Sequence, residues 1–218
     1  MIYTENIFLC LAAPLIIAAF LIKGDTQRHI VFFTIGLGTC LLAAYINSFL
    51  VTAASGLDFR SLDAAASAIQ ITPVSEEIMK AFPLLVYIAL LKPDRRQIVS
   101  TAFAIGLGFA TLENCCYLIQ YGAADVGFVL IRGFSVGIMH AICAAVMGYG
   151  LAFAMGRKHL AFVFTVGLLS VAMTFHALYN LFVAGSGGWQ ALGYVLPVIT
   201  ACAIWILIKN PYIRNNIE

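Results

Sequence analysis

Long apolar segments, rather than alternating polar and apolar positions, dominate the pattern along this chain. A membrane-spanning helix needs about 20 predominantly apolar residues. The segments that reach or approach this length are residues 3–22, 30–53, 74–91, 98–121, 126–155, 160–184 and 189–208. None has the period-two alternation of a transmembrane barrel strand. The pattern therefore predicts an all-α fold, a polytopic transmembrane helix bundle with about seven spans.

The composition agrees with a single integral membrane domain covering residues 1–218. Apolar residues make up 62% of the chain and charged residues 10%, whereas a soluble domain has about 45–50% and about 25%. Such a chain has too little polar surface to cover itself in water. A net charge of +2 without a basic run argues against a nucleic-acid partner. The six cysteines lie in apolar segments, which favours packing roles over disulfides.

The distribution of basic residues predicts the orientation. Nine of the twelve lysines and arginines lie in alternate connections or after the last span: Lys23, Arg28, Lys92, Arg95, Arg96, Arg157, Lys158, Lys209 and Arg214. The other connections hold only Arg60. Because basic connections stay in the cytoplasm, the N-terminus is predicted outside and the C-terminus inside. The expected location is the cell inner (plasma) membrane, with the first segment retained as a helix.

One connection, residues 54–73, is longer and more polar than the others. It contains Asp58, Arg60, Asp63 and Gln70. Two interpretations remain open from the sequence. The segment either lies along the outer membrane interface as an amphipathic stretch, or forms a loop that covers a site.

Several ionisable residues lie inside the predicted spans, where each charge costs at least about 2.5–3.5 kcal/mol. They are Glu76, Glu77, Lys80, Glu113, Arg132, His140 and His176. Glu113 and His176 each precede the outer end of their segment by eight residues, so they share a depth. We therefore expect a polar site in the outer half of the bundle. Lys80 is expected to pair with Glu76 or Glu77, and Arg132 either to snorkel to the headgroups or to pair with a buried carboxylate.

Glutamate and histidine together are the side chains that activate water. A carboxylate can accept a proton from water, and an imidazole can orient the water or donate to an oxyanion. Asn180, one helical turn after His176, offers an amide N–H for the same purpose. Alternatively, Glu and His side chains can hold a zinc ion with one open position. The HExxH and GxSxG motifs are absent, and all aspartates lie in connections, which excludes several known protease classes.

The order of these residues resembles the PrsW family of intramembrane proteases. The matching motifs are Glu76-Glu77-x-x-Lys80, Gly108-Phe109-Ala110-x-x-Glu113-Asn114-x-x-Tyr117, Arg132 and His140 followed by Gly148, and His176-x-x-x-Asn180. That family is similar to the CAAX prenyl endopeptidases and the bacteriocin-processing proteins. The motif-bearing core covers about residues 74–184, and the remaining spans match only in being apolar.

The resemblance implies an endopeptidase that cleaves a single-span, membrane-anchored protein such as an anti-sigma factor. Glu76, Glu77, Glu113, His140, His176 and Asn180 are the implied catalytic residues, with Lys80, Asn114, Tyr117 and Arg132 in support. By analogy with the CAAX enzymes, Glu76 is the general base, and His176 with Asn180 stabilises the oxyanion without a metal. Those enzymes carry His where Glu113 stands here. A zinc or other divalent ion bound by Glu76, Glu113, His140 and His176 is therefore the second option.

Two rival functions come from other classes. Buried Glu, His, Lys and Arg also build proton relays and ion paths, so a proton- or ion-coupled transporter is an alternative. The chain shows no internal symmetry of the kind that many transporters have. A non-catalytic membrane chaperone or immunity protein of the same fold is the other alternative.

Overall fold

The computed structural model describes residues 4–21, 25–56, 64–122, 125–154 and 158–209. Within these residues the chain forms seven α-helices and no strand. They are α1 (Thr4–Leu21), α2 (Thr26–Gly56), α3 (Ala64–Leu91), α4 (Arg95–Tyr121), α5 (Val126–Ala154), α6 (Lys158–Val183) and α7 (Gly188–Lys209). The prediction of an all-α bundle is therefore confirmed.

The helices also agree with an integral membrane protein. Among the described residues, five helices are long and apolar enough to cross a membrane, namely α2, α4, α5, α6 and α7. In α1 the stretch Leu11–Phe20 is apolar but shorter. Helix α3 has the length but carries Glu76, Glu77 and Lys80 within its apolar part. The predicted orientation, with the N-terminus outside, stays a prediction.

The long polar connection is mostly helical. Helix α2 continues to Gly56, and α3 begins at Ala64, ten residues before the predicted start of its span. The loop interpretation is therefore wrong for residues 64–73, because their backbone is continuous with the rest of α3. Asp58, Arg60 and Asp63 lie outside the described residues.

Helices α4 and α5 form the centre of the bundle, and small residues bring them together. A Cβ atom added at Gly106 would lie 2.8 Å from the Cβ of Ala144 and 3.0 Å from the carbonyl oxygen of His140. A Cβ atom at Gly148 would lie 2.8 Å from the Cβ of Ala102. Two backbones can approach this closely only where side chains are absent or small. Ala144 and Gly148, which lie one turn apart on α5, therefore face α4.

The remaining helices surround this pair. Helix α3 packs between α2 and α6 and also contacts α4 and α5, so α3 to α6 share one interior. Helix α1 packs on α4 and α5, and α7 packs on α5 and α6. Large apolar side chains such as Phe20, Tyr45 and Phe162 are exposed on the outside, as expected for contact with lipid. The five cysteines whose side chains are described, Cys40, Cys115, Cys116, Cys143 and Cys202, are free thiols.

Candidate functional site

His140 lies at the centre of a polar cluster inside the bundle. Its imidazole is completely buried. Nδ1 lies 2.7 Å from Nζ of Lys80, and Nε2 lies 2.5 Å from Oε2 of Glu113. The ring of Phe109 packs against it, with 5.2 Å between the ring centroids. Side chains from α3, α4 and α5 therefore meet at this imidazole.

His176 brings α6 into the same cluster. Its Nδ1 lies 2.8 Å from Oε1 of Glu77, and its Nε2 lies 3.6 Å from Oε2 of Glu76. The rings of His176 and His140 are nearly perpendicular, with their centroids 5.1 Å apart. The two imidazoles and the carboxylates that the sequence predicts at one depth therefore belong to one side-chain cluster.

Lys80 connects the two halves of the cluster. Its Nζ donates to Oε1 of Glu77 at 2.5 Å and to Nδ1 of His140 at 2.7 Å. The same ammonium lies 4.7 Å from the centroid of the Phe109 ring. Of the two partners expected from the sequence, the lysine pairs with Glu77 rather than with Glu76.

Arg132 pairs with the carboxylate of Glu113. Its Nη2 lies 3.5 Å from Oε1 of Glu113, and its guanidinium carbon lies 3.4 Å above the ring of Tyr117. The arginine is only 7% exposed. The snorkelling interpretation is therefore wrong, and pairing with a buried carboxylate is what the fold provides. Tyr117 reaches the arginine because it lies one helical turn after Glu113.

The three carboxylates differ in how far solvent reaches them. The side chain of Glu113 is 28% exposed, that of Glu76 10% and that of Glu77 2%. The cluster therefore opens at Glu113 and is closed behind Glu77. A water molecule or an extended peptide would first meet the Glu113 side of the cluster.

Two predicted site residues make no hydrogen bond to the cluster. Asn114 is completely buried, and neither atom of its amide has a hydrogen-bond partner among the described residues. Asn180 is half-buried, and its side chain makes no hydrogen bond within the described part of the chain. The supporting role of Asn114 and the oxyanion role of Asn180 stay predictions.

Three of the four predicted metal ligands form a compact group. Glu76, His140 and His176 each place one donor atom within 4.8 Å of the other two. Oε2 of Glu76 is buried and has no hydrogen-bond partner among the described residues. One carboxylate and two imidazoles form a donor set that zinc and similar divalent ions accept, so the residues fit a metal. Glu113 is outside this group and is hydrogen-bonded to His140 instead.

A small cavity lies next to the cluster on the side away from Glu113, and sequence reasoning gave no indication of it. Its polar wall is formed by Glu77 and Lys80. The apolar wall consists of Ala81, Leu84, Ala102, Ile105, Ala144 and Met147. The only available signal was helical spacing, since Ala81 follows Glu77 by four residues and Leu84 follows Lys80 by four.

Comparison with known proteins assigns the family. The model of the PrsW family of intramembrane metalloproteases matches residues 26–208, which include every residue of the cluster. No curated protein and no solved structure matches the chain. The match covers most of the chain, and the fold provides a buried cluster of glutamates and histidines between its helices. Together they indicate peptidase activity inside a membrane. The chain belongs to the PrsW family of intramembrane metalloproteases, and is therefore an integral membrane peptidase whose substrate is a membrane protein.

Proposed function

We propose that this protein hydrolyses a peptide bond of a single-span membrane protein, of the anti-sigma-factor kind, near the outer face of the plasma membrane. One observation carries the proposal. Carboxylates from α3 and α4 and imidazoles from α5 and α6 converge in one interior cluster that opens only partly, at Glu113. A water-activating site enclosed by helices suits a substrate that is itself held in the bilayer.

Glu76, His140 and His176 would hold the divalent ion, with zinc as the expected metal. When bound, the ion supplies Lewis-acid activation of water and of the substrate carbonyl. Glu77 orients His176 through the 2.8 Å contact to Nδ1, which leaves Nε2 of that ring facing Glu76. Carboxylates that fix histidine ligands in this way are a common feature of metal sites.

Glu113 is proposed as the residue that moves the proton. It is the most exposed of the three clustered carboxylates, and Arg132 fixes its second oxygen. Attack of the water oxygen on the carbonyl carbon releases a proton, which Oε2 accepts. The same proton then passes to the amide nitrogen as the C–N bond breaks, so the carboxylate is regenerated.

Asn180 is proposed to act only once a substrate is in place. It lies one turn beyond His176 on α6, and its side-chain amide makes no hydrogen bond to the residues that the structure describes. Its N–H would donate to the carbonyl oxygen as negative charge develops there. In the metal-free alternative, the unpartnered Oε2 of Glu76 accepts the proton of water directly.

The decisive experiment is a comparison of membrane proteomes. Proteoliposomes that contain native membrane proteins are incubated with the wild-type protein or with Glu113→Gln, and new N-termini are identified by mass spectrometry. Reaction in ¹⁸O-labelled water should place one ¹⁸O atom in each new carboxyl terminus. The matched control is Ser170→Ala, because Ser170 is exposed on α6 and its hydroxyl bonds only to its own helix. If the wild type produces no ¹⁸O-labelled termini, the proposed function fails. Identical sets of termini from the wild type and Glu113→Gln would contradict the proposed role of Glu113.

A further inference from the structure

Both ring nitrogens of His140 are already engaged. The ammonium of Lys80 donates to Nδ1 at 2.7 Å. Nδ1 therefore supplies the single lone pair that a neutral imidazole has. Nε2 must then carry the proton, which it donates to Oε2 of Glu113 at 2.5 Å. No lone pair of this imidazole remains for a metal ion.

Metal binding and the Lys80 contact therefore exclude each other. A histidine ligand must offer a lone pair to the metal. If the metal takes Nδ1, it replaces the lysine there. If the metal takes Nε2, the imidazole proton moves to Nδ1. The N–H at Nδ1 and the Lys80 ammonium are then both donors and cannot hydrogen-bond to each other. In both cases the hydrogen bond between Lys80 and His140 breaks.

We propose that Lys80 is an internal competitor that sets how tightly the site binds its metal. The inference rests on the proposed metal group of Glu76, His140 and His176. Without the metal, the lysine neutralises Glu77 and holds the imidazole in place. When the metal binds, Lys80 gives up His140 and keeps Glu77.

The fold provides space for that movement. Lys80 and Glu77 together form the polar wall of the small cavity behind the cluster. The facing residues include Ala81, Ala102 and Ala144, whose side chains are small. A lysine side chain has four rotatable bonds, so Nζ can turn away from His140 within this space while its pair with Glu77 persists.

The two buried cations of the cluster make a matched comparison possible. Lys80 and Arg132 each lie beside a clustered carboxylate, Glu77 and Glu113 respectively. Replacing either by methionine removes one positive charge, but only Lys80 occupies His140. A purely electrostatic effect would therefore appear in both variants, whereas competition for the imidazole would appear in one.

The test measures Zn²⁺ and Co²⁺ affinity of the purified full chain in detergent, by competition with a chelating dye. Lys80→Met should bind the metal about tenfold or more tightly than the wild type, and clearly more tightly than Arg132→Met. When His140→Ala is added to both the wild type and Lys80→Met, their metal affinities should become equal. Lys80→Leu, which also lacks a donor for Nδ1, is the second variant, for use if the methionine protein aggregates. As a measurement on the wild type alone, the ¹⁵N resonance of the buried Lys80 ammonium should move when Zn²⁺ is added.

Each outcome decides something. Equal affinities of Lys80→Met and Arg132→Met, or no gain in Lys80→Met, would overturn the competition while leaving the metal group intact. An unmoved lysine resonance at saturating Zn²⁺ would do the same. If neither the wild type nor any Lys80 variant binds Zn²⁺ or Co²⁺, the competition and the proposed metal group both fail.

Discussion

At the scale of single residues, the site is organised by the hydrogen bonds of two histidines. His176 is held by Glu77, and His140 lies between Lys80 and Glu113. Lys80 compensates the charge of Glu77 and Arg132 that of Glu113, whereas Oε2 of Glu76 has no hydrogen-bond partner among the described residues. Removing one member therefore has different consequences, depending on whether the residue moves protons, compensates charge or offers a lone pair.

Glu113→Gln should abolish most of the proteolysis while the fold persists. Glutamine can still accept a hydrogen bond from Nε2 of His140, but it cannot take up a proton. Loss of a general base typically lowers a rate by about 10²–10⁴-fold. Cleavage of an identified substrate in proteoliposomes measures the effect, with Ser170→Ala as the control. Unchanged turnover would assign the proton transfer to another residue, with Glu76 as the next choice.

Glu77→Gln should lower the free energy of unfolding of the protein. Glu77 is 2% exposed and is the carboxylate partner of Lys80 at 2.5 Å. Removing one partner of a buried pair leaves the other charge uncompensated and costs about 3–5 kcal/mol. A lower thermal unfolding temperature in detergent is the expected readout. Adding Lys80→Met to Glu77→Gln should recover much of the loss, and failure to recover it would show that Glu77 acts mainly through His176.

Metal content should depend on Glu76. We expect about one divalent ion per chain in the purified wild type, by elemental analysis, if the carboxylate and two imidazoles act as a zinc site. A chelator should remove the ion and stop cleavage, and added Zn²⁺ should restore both. Glu76→Gln should retain far less metal than Ser170→Ala. Full activity of metal-depleted protein would favour the metal-free mechanism instead.

At the scale of helices, the contact between α4 and α5 sets the geometry of the site. Glu113 is on α4 and His140 on α5, and their side chains meet at 2.5 Å. This distance depends on the close approach at Gly106, two turns before Glu113. Helix α4 is also fixed at its beginning, where Asp94 and Gln97 form a capping box. A shift of either helix would separate the carboxylate from the imidazole.

Gly106→Ala should therefore harm both stability and activity. The added Cβ would lie 2.8 Å from that of Ala144 and 3.0 Å from the backbone oxygen of His140, which cannot move independently of α5. Overpacking of this kind costs about 1–3 kcal/mol. Gly38→Ala is the matched control, because a Cβ at this exposed helical glycine of α2 meets nothing within 4 Å. The thermal unfolding temperature and the rate of substrate cleavage should fall in Gly106→Ala and stay unchanged in Gly38→Ala. Equal unfolding temperatures and equal cleavage rates of the two variants would contradict the role of this contact.

At the scale of the whole molecule, the bundle protects a charged interior from lipid. Among the five helices long enough to cross a membrane, α4 and α5 have most of their residues buried, whereas α6 and α7 have few. The cost of charge in hydrocarbon is thus met by placing the carboxylates and imidazoles where four helices meet. The same arrangement restricts water to the partly open side at Glu113.

The orientation predicts which connections can be reached from outside the cell. Ser186, between α6 and α7, is expected outside, and Arg96, at the beginning of α4, inside. Both side chains are exposed. In a background that lacks the exposed Cys116 and Cys202, a membrane-impermeant maleimide should label Ser186→Cys in intact cells, and Arg96→Cys only after permeabilisation. The reverse labelling pattern would invert the topology and place cleavage on the cytoplasmic side.

The sequence was sufficient to predict the apolar helices and the meeting of acids and imidazoles in one cluster, but it also placed Asn114 and Asn180 there, which make no hydrogen bond to the cluster among the described residues. Helices follow from apolar length, because a backbone in hydrocarbon must satisfy its own hydrogen bonds. The prediction of a common site for Glu77, Glu113, His140 and His176 follows from the cost of isolated charge in a bilayer, which forces such residues together. Where polar residues were spread along the chain, as in residues 54–73, the pattern could not distinguish a loop from the first turns of α3.

Only the tertiary structure decided which atoms meet. Glu76 and Glu77 both lie within a turn of Lys80, so spacing alone allowed either pair, and the rotation of α3 against α5 and α6 selected Glu77. The same packing placed Glu113 on His140 and left Asn180 without a hydrogen bond among the described residues. Apolar length and charge act along the chain and can be read from it. The rotation of each helix about its axis depends on contacts between distant small residues, such as Gly106 and Ala144, which no local pattern contains.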